Sequence, residues 1–178
     1  MQYLLLLLVT ISIVACGSEA PGDAPATAAE TRFQQWSLPG RLNEISGLAL
    51  TADERLLAVT DELAVVYEID YEDGHLVKAF ALGDPPVRGD FEGIAVRDDI
   101  VWLMTSDGAL LAAAEGDNGE SVKYDSFDTG LENTCELEGL TVGGADRSLV
   151  LICKEARRKA DLQIFVWNPD SGDKDRID

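Results

Sequence analysis

Residues 44–50 (EISGLAL), 90–96 (DFEGIAV) and 136–142 (ELEGLTV) repeat one short pattern at a fixed interval. In each segment an acidic residue stands three positions before a glycine, and an aliphatic residue follows that glycine directly. Successive glycines are 46 residues apart both times. A period of this length is typical of solenoids, propellers and other repeat arrays, so this spacing decides which folds remain.

Short β-rich runs separated by turn residues follow each glycine. Four short strands in about 46 residues match one blade of a β-propeller. No stretch keeps a 3.6-residue apolar period, which argues against helical repeats. We therefore predict an all-β fold, a β-propeller with about three four-stranded blades present, at about residues 44–89, 90–135 and 136–178. The later strands are predicted at 56–60, 65–69 and 75–82 in the first repeat, at 100–105, 109–113 and 121–127 in the second, and at 148–153 and 162–167 in the third.

The third repeat lacks a recognisable fourth strand, because a turn signal at residues 167–172 (WNPDSG) follows its third run. Typical propellers have four to eight blades, so three blades form an incomplete ring with two open edges. Residues 33–38 (FQQWSL) resemble an extra strand, of the kind that completes the last blade in many propellers. We expect the chain to be the N-terminal half of a longer protein, and a ring closed by two or more chains is the alternative.

The N-terminus is typical of a targeting segment. Residues 4–15 (LLLLLVTISIVA) are too few to span a bilayer core of roughly 30 Å but suit a signal peptide, which we place at residues 1–15. Residues 13–16 (IVAC) resemble a bacterial lipobox, which implies cleavage before Cys16 and lipidation of that residue; Gly17 then implies sorting to the outer membrane, facing the periplasm. Residues 16–31 would be the lipidated cysteine and a flexible tether, and 32–178 the partial propeller. A plain secretory signal with an incidental cysteine is the alternative, since residues 1–3 (MQY) lack the usual Lys or Arg.

The composition excludes several functions. Of 178 residues, 33 are Asp or Glu and 14 are Lys or Arg, which gives a formal net charge of −19. So acidic a chain cannot neutralise a run of phosphates, and we expect no nucleic-acid partner. The single histidine, His75, excludes a metal site built on two histidines, and its position after Asp73 and Gly74 is typical of a surface turn.

The repeat motifs resemble the SdiA-regulated, phytase-like β-propeller family, which includes calcium-regulated propeller proteins of bacterial envelopes. The resemblance implies an exported or lipid-anchored propeller of six blades, calcium involvement and a phosphoesterase activity. It covers residues 33–170, and no implied activity follows from the residues alone. The motifs that carry it are 42–48 (LNEISGL), 59–62 (VTDE), 66–69 (VYEI), 90–94 (DFEGI) and 136–140 (ELEGL).

Acidic residues at the starts of the first strands are candidate metal ligands. Positions two apart on a strand face the same side, and the first strand of a blade is the innermost, so these side chains should gather at one mouth of the central channel. Oxygen ligands without histidine or thiolate suit Ca²⁺ above Mg²⁺. Two alternatives remain, structural pinning of one blade to the next and simple solvation. The candidates are Glu44, Asp90, Glu92, Glu136 and Glu138.

A second acidic set follows the second strand of each repeat, at the same end of the blades. With Lys154 and Arg88, such carboxylates could hold Ca²⁺ ions and a phosphate group. Ordinary turn chemistry is the favoured alternative, because Asp, Ser and Thr are common in turns. The members of this set are Asp61, Glu62, Asp107 and Glu155.

Cys135 and Cys153 flank the first hairpin of the third repeat, and export would permit a disulfide between them. Two reduced, partly buried thiols are the alternative. Three functions remain for the chain. The first is a lipid-anchored envelope propeller with a binding or scaffolding role, a phosphate-bearing or protein ligand, and calcium dependence. The second is a calcium-dependent phosphoesterase on the same fold, and the third is an ion-free interaction propeller.

Overall fold

A computed structural model describes residues 34–156 and 163–177 of the chain. Contacts group residues 35–178 as one compact unit, the second unit of the chain, and everything below concerns it. The predicted signal peptide, Cys16 and the tether lie outside the described residues.

The second unit is all-β, and three of its sheets are blades of a propeller. Each blade is an antiparallel meander whose strands follow one another from the inner to the outer edge. A 3-10 helix at Gly40–Leu42 precedes the first blade. Blade 1 contains β1 (Ile45–Leu50), β2 (Leu56–Thr60), β3 (Val65–Ile69) and β4 (Leu76–Leu82). Blade 2 contains β5 (Phe91–Arg97), β6 (Ile100–Thr105), β7 (Ala109–Ala114) and β9 (Asp125–Asp128), and β8 (Ser121–Val122), which precedes β9 in the chain, adds a short fifth strand to the sheet of blade 1. Blade 3 contains β10 (Cys135–Gly143), β11 (Ser148–Ala156), β12 (Ile164–Trp167) and β13 (Lys174–Ile177).

The predicted fold class is confirmed: three four-stranded blades are present, and the described residues form no closed ring. The first strands of successive blades lie side by side, β5 against β1 and β10 against β5. Alternate side chains of each blade face opposite neighbours, so one apolar core forms between blades 1 and 2 and another between blades 2 and 3.

Three details of the strand prediction are wrong. The third blade does have a fourth strand, since Lys174–Ile177 pairs with β12; its side chains are all exposed and mostly charged, so no apolar alternation marked it. The predicted strand 121–127 is divided, with β8 pairing in parallel with β4 of blade 1 and β9 completing blade 2. Residues 34–39 form no strand.

The repeat glycines are the points of closest approach between blades. A Cβ atom built on Gly47 would lie 3.0 Å from the backbone nitrogen of Ile94, and one built on Gly93 would lie 2.6 Å from the Cβ of Leu140. Ile94 and Leu140 are the aliphatic residues that directly follow the next repeat glycine, and both are buried. Each glycine is therefore a slot for the aliphatic residue of the following blade, because only a residue without a side chain leaves that space.

Backbone hydrogen bonds repeat beside these slots. The N–H of Phe91 in β5 donates to the carbonyl of Asp61, which follows β2 of the preceding blade, at 2.7 Å. The N–H of Leu137 in β10 likewise donates to the carbonyl of Ser106, which follows β6, at 2.9 Å. Packing and hydrogen bonding thus fix each new first strand against the end of the second strand of the blade before it.

We predict that Gly93→Ala and Gly139→Ala will differ sharply in stability. A methyl group at Gly93 collides with Leu140, and overpacking of this kind costs about 1–3 kcal/mol. At Gly139 the nearest atom is the Cβ of Ile152 in the same blade, 3.4 Å away, so alanine should change the free energy of unfolding by less than about 0.5 kcal/mol. Urea unfolding at low protein concentration measures both, and equal losses would contradict the slot interpretation.

Candidate functional site

The first acidic set lies where the innermost strands begin. Glu44 directly precedes β1 and has a left-handed backbone with φ of 62°, and Asp90 directly precedes β5. Both are exposed, whereas Glu92, Glu136 and Glu138 are half-buried. The structure therefore places the whole set at the same end of the three blades.

A β-bulge lies at the same position of every first strand. The register shifts across Ser46, Glu92 and Glu138, the residues that stand directly before the repeat glycines. A bulge adds an unpaired residue and locally disturbs strict alternation, so two positions two apart need not share one face there. The sequence could not show this, because a bulge is defined by the partner strand.

Glu92 lies within electrostatic range of acidic residues from three blades. Burial raises the pKa of Glu92 above its ordinary range, and the negative charges of Glu138, Asp90 and Asp61 raise it further. Asp61 belongs to blade 1, Asp90 to blade 2 and Glu138 to blade 3. We call these four residues, Asp61, Asp90, Glu92 and Glu138, the acidic mouth.

Lys154 is a basic residue close to the acidic mouth. Its Nζ donates to the Oε1 of Glu138 at 2.7 Å, and this bond, with the charges of Glu136 and Glu92, raises the pKa of Lys154. The lysine side chain is 60% exposed, so its ion pair with Glu138 is weak. It therefore offsets only part of the negative charge that surrounds Glu92.

Asp90 is held by its own blade. Its Oδ2 accepts a hydrogen bond from the hydroxyl of Ser106 at 2.6 Å, and its carbonyl accepts the N–H of Ser106 at 2.8 Å. The pinning alternative holds that acidic residues at strand starts accept backbone N–H bonds from neighbouring loops and so pin one blade to the next. The hydrogen bonds described above instead run between blades through the backbone carbonyls of Asp61 and Ser106.

The second acidic set has mixed surroundings. Asp61 joins the acidic mouth, and Glu62 is exposed while its carbonyl accepts the N–H of Gly89 at 3.2 Å. Asp107 accepts from the hydroxyl of Thr105 and from the N–H of Ala109, which is turn chemistry. Glu155 lies opposite Glu136 in the β10–β11 ladder, and its side chain lies outside the described residues.

Cys135 and Cys153 form a disulfide. In the β10–β11 ladder Cys153 is the partner of Leu137 and Cys135 is the partner of Ala156, so the bridge runs diagonally between the strands. It closes the hairpin next to Glu136 and Glu138 and ties the start of β10 to the end of β11 beside the acidic mouth.

One tighter cluster was not predicted. It lies in the turn between β3 and β4 and contains Asp70, Asp73 and His75. Among residues 34–156 and 163–177, this is the group of His, Cys, Asp or Glu residues whose possible ligand atoms all lie within 4.8 Å of one another. The sequence showed only a turn here, and the same residues make local hydrogen bonds of that turn: Asp70 accepts the N–H of Glu72, and Asp73 contacts the ring of His75. The carboxylates of the acidic mouth are spaced more widely than this.

A second unpredicted cluster joins blades 1 and 2 at the opposite end. Arg55, in the β1–β2 turn, donates to both carboxylate oxygens of Glu115 and to Glu68. Lys78 also pairs with Glu115, and the two cations lower the pKa of that carboxyl group. Arg55 and Glu115 are 60 residues apart in the chain, and no sequence signal links them. Several cations stand among the carboxylates at this end of the blades, whereas Lys154 is the cation that lowers the pKa of Glu92 at the acidic mouth.

Comparisons with known proteins bear on the fold alone. No family model matches the chain, and no curated protein matches it. Three solved structures to which it is similar are a streptogramin B lyase (TM-score 0.49, 13% identity, 76% of this chain and 40% of that chain), the PQQ-bound aldose sugar dehydrogenase from Streptomyces coelicolor (0.42, 16%, 67% and 41%) and Kluyvelomyces marxianus Hsv2 (0.37, 14%, 75% and 44%). The chain thus spans less than half the length of each of these structures.

Among the described residues, no helix is long and apolar enough to cross a membrane.

We predict that Glu92→Gln will stabilise the protein at neutral pH when no divalent cation is present. The pKa of Glu92 is raised in the folded protein, so ionisation of Glu92 destabilises the fold as pH rises past the ordinary pKa of a glutamate. Glutamine removes that charge and should add up to about 1 kcal/mol to the free energy of unfolding, since the site is half-exposed.

The stability gain should disappear at acidic pH, where Glu92 is protonated in both the folded and the unfolded chain. Thermal melting across a pH series measures it. Glu54→Gln is the matched control, because Glu54 is exposed in the β1–β2 turn at the far end of the blade. A gain that is independent of pH would show that the charge of Glu92 is not its cause.

Proposed function

We propose that this chain is a lipid-anchored binding module of a bacterial envelope whose acidic mouth binds calcium. The observation that carries the proposal is the position of acidic residues from three successive blades at one end of the blades, where their charges raise the pKa of the half-buried Glu92. A site that gathers uncompensated carboxylates gains free energy when a cation binds to it. The resemblance of the repeat motifs to the SdiA-regulated, phytase-like family supports the same cation.

The donor set suits a hard cation. The acidic mouth offers carboxylate oxygens, and Ca²⁺ takes six to eight oxygen ligands in flexible arrangements that include water. The carboxylate oxygens of Asp61, Glu92 and Glu138 do not all lie within 4.8 Å of one another, so these side chains would close around the ion from three blades, and water would complete its shell. Asp90 has one oxygen engaged by Ser106, so its second oxygen is the one available. The bound ion would link blades that otherwise repel one another at this end.

A binding role is favoured over the phosphoesterase alternative. Hydrolysis of a phosphate ester needs positive charge to hold the anion. Lys154 already pairs with Glu138, and Arg88, in the linker that leads to β5, is exposed. Without bound calcium the acidic mouth would therefore repel a phosphate group. With calcium bound, the ion itself would bind the phosphate group. A phosphate-bearing or protein ligand remains the expected partner.

Calcium should stabilise the protein through the acidic mouth. We expect the melting temperature to rise with Ca²⁺ concentration, with a weaker response to Mg²⁺, because the ion binds the folded chain and not the unfolded one. Glu92→Gln and Glu138→Gln should each reduce the calcium affinity by about tenfold or more, which is the effect of losing about 1.4 kcal/mol. Isothermal titration measures that affinity directly.

Two controls keep the calcium test specific. Glu54→Gln lies at the opposite end of blade 1 and should bind calcium as the wild type does. Asp73→Asn removes a carboxylate from the Asp70, Asp73 and His75 cluster and should also leave the affinity unchanged. A loss of calcium binding in the Asp73 variant alone would place the ion in that turn and refute the acidic mouth.

Lipid anchoring rests on Cys16, which lies outside the described residues. Acyl chains contribute about 0.8 kcal/mol per buried CH₂, so a multiply acylated cysteine holds a domain firmly on a membrane. We predict that Cys16→Ser will move the chain from the membrane fraction without disturbing the fold. Metabolic labelling with a fatty acid and fractionation of an expressing bacterium measure both effects. Label retained by the serine variant would contradict the lipobox interpretation.

A further inference from the structure

One face of blade 3 is exposed to solvent, although the corresponding face of blades 1 and 2 is buried. The repeat glycine begins a row of directly paired residues that runs across all four strands of each blade, which we call the slot row. Side chains directly opposite one another in a ladder lie on the same face, so each slot row faces the following blade. The three slot rows are Gly47, Val59, Val66 and Phe80; Gly93, Met104, Leu110 and Phe127; and Gly139, Ile152, Ile164 and Ile177.

The exposure of the slot rows separates blade 3 from the others. In blade 1, Val59 and Val66 are fully buried against blade 2, and in blade 2 Met104 and Leu110 are fully buried against blade 3. In blade 3, by contrast, Ile152 is 42%, Ile164 37% and Ile177 53% exposed. Three isoleucines in one continuous row are therefore exposed beside a glycine slot that no other blade in the described residues fills.

Blade 1 presents the matching part. Leu48 directly follows the repeat glycine, as Ile94 and Leu140 do in the later blades. Ile94 is 1% and Leu140 9% exposed, because each occupies the slot of the preceding blade, but Leu48 is 57% exposed. Leu50, two positions further along β1, is 59% exposed.

The linker before β1 packs an apolar residue in the same way as the linkers that precede β5 and β10. Leu42 is buried against Ala58 and Tyr67 on the face of blade 1 that bears Leu48. Leu131, before β10, lies in the core between blades 2 and 3, and Val87, before β5, packs against the core between blades 1 and 2. Blade 1 therefore carries the apolar elements with which each later blade docks on the blade before it.

We propose that the exposed slot row of blade 3 binds blade 1 of a second copy of this chain. The same chain carries both the unfilled slot at Gly139 and the exposed Leu48 that fits it, and this interface occurs twice within the chain. Two copies of the three described blades would meet head to tail at two identical interfaces and close a six-bladed ring. By the backbone pattern, the Ile45 N–H of one copy would donate to the Lys154 carbonyl of the other.

Cross-linking between two tagged full-length copies tests the contact. Both copies carry Cys16→Ser. Because Cys135 and Cys153 form a disulfide, the introduced cysteine is then the free thiol of each copy. One copy carries Leu48→Cys and the other Ile152→Cys. Leu48 and Ile152 correspond to Ile94 and Val59 at the interface between blades 1 and 2. Those two side chains lie close together, since each has an atom 3.1 Å from a Cβ built on Gly47. The chains are kept in detergent with micelles in large excess, and a short bis-maleimide joins the thiols.

Val77→Cys is the matched control for Leu48→Cys. Val77 is a 47% exposed apolar residue in β4, at the outer edge of the same blade. We expect the yield of the Leu48–Ile152 product to exceed that of the Val77–Ile152 product by about tenfold or more, the effect of a preference of about 1.4 kcal/mol. Equal yields would overturn the proposal and leave this face to a different blade, from this polypeptide or from another. Thermal melting confirms that each cysteine variant is folded.

A chain that carries both Leu48→Cys and Ile152→Cys tests closure. Two copies that close a ring give a cross-linked dimer and no species larger than a dimer. A ladder of trimers and higher forms would overturn the two-copy ring. Sedimentation of the chain without introduced cysteines should show a dimer. The substitution Ile152→Glu should dissociate this dimer, and Val77→Glu should leave it intact. Association should also strengthen as NaCl rises, because each copy carries a formal charge of −19 and salt screens their repulsion. A monomer at every salt concentration would refute the proposal.

Discussion

The close approach of consecutive innermost strands, made by a glycine of one blade and the aliphatic residue after the glycine of the next, is the contact on which this fold depends. A side chain at Gly93 would overlap Leu140, so the separation of β5 and β10 exists only because that position is glycine. Burial of Ile94 and Leu140 in these slots removes apolar surface from water, and the adjacent backbone hydrogen bonds fix the register. An acidic residue stands three positions before each glycine, and Glu92 and Glu138 stand directly before Gly93 and Gly139, so the contact that packs the blades also gathers their charges.

How much of the fold could be predicted from the sequence depended on where apolar side chains signal a strand. The bounds of β2, β3 and β6 are those expected, because each strand is a run of aliphatic residues between polar turns. The strand Lys174–Ile177 was missed, since its side chains are solvated and only its backbone belongs to the sheet. Residues 121–127 were assigned to one strand, and their division between two blades depends on the exposed edge of β4 rather than on any local pattern.

The candidate site could be predicted less well, for a physical reason. The period of the glycines placed Glu92 and Glu138 at one end of the blades. The bulges at these residues, however, depend on the partner strand of the same blade, and the approach of Asp61 and Lys154 depends on how neighbouring blades pack. The sequence also does not show that Lys154 bonds Glu138, since Glu136 and Glu92 are within electrostatic range of the same lysine. The bond from Ser106 to Asp90 is a further example, because it joins two strands of one blade through side chains that the pattern marks only as turn residues.

The two ends of the blades differ in how charge is balanced, and this difference connects the proposed cation to the proposed ring. At the ends of the first strands, cations stand among the acids: Arg55 pairs with Glu115, and Arg97 pairs with Asp170. At the acidic mouth, Lys154 is the basic residue that lowers the pKa of Glu92 against three neighbouring carboxylates. Each further blade would add acids to this mouth, so apolar burial in the slots would favour closure while charge repulsion opposed it. A cation held between blades would offset that repulsion. Binding of the ion and closure of the ring would then strengthen each other by the same factor, as thermodynamic linkage requires.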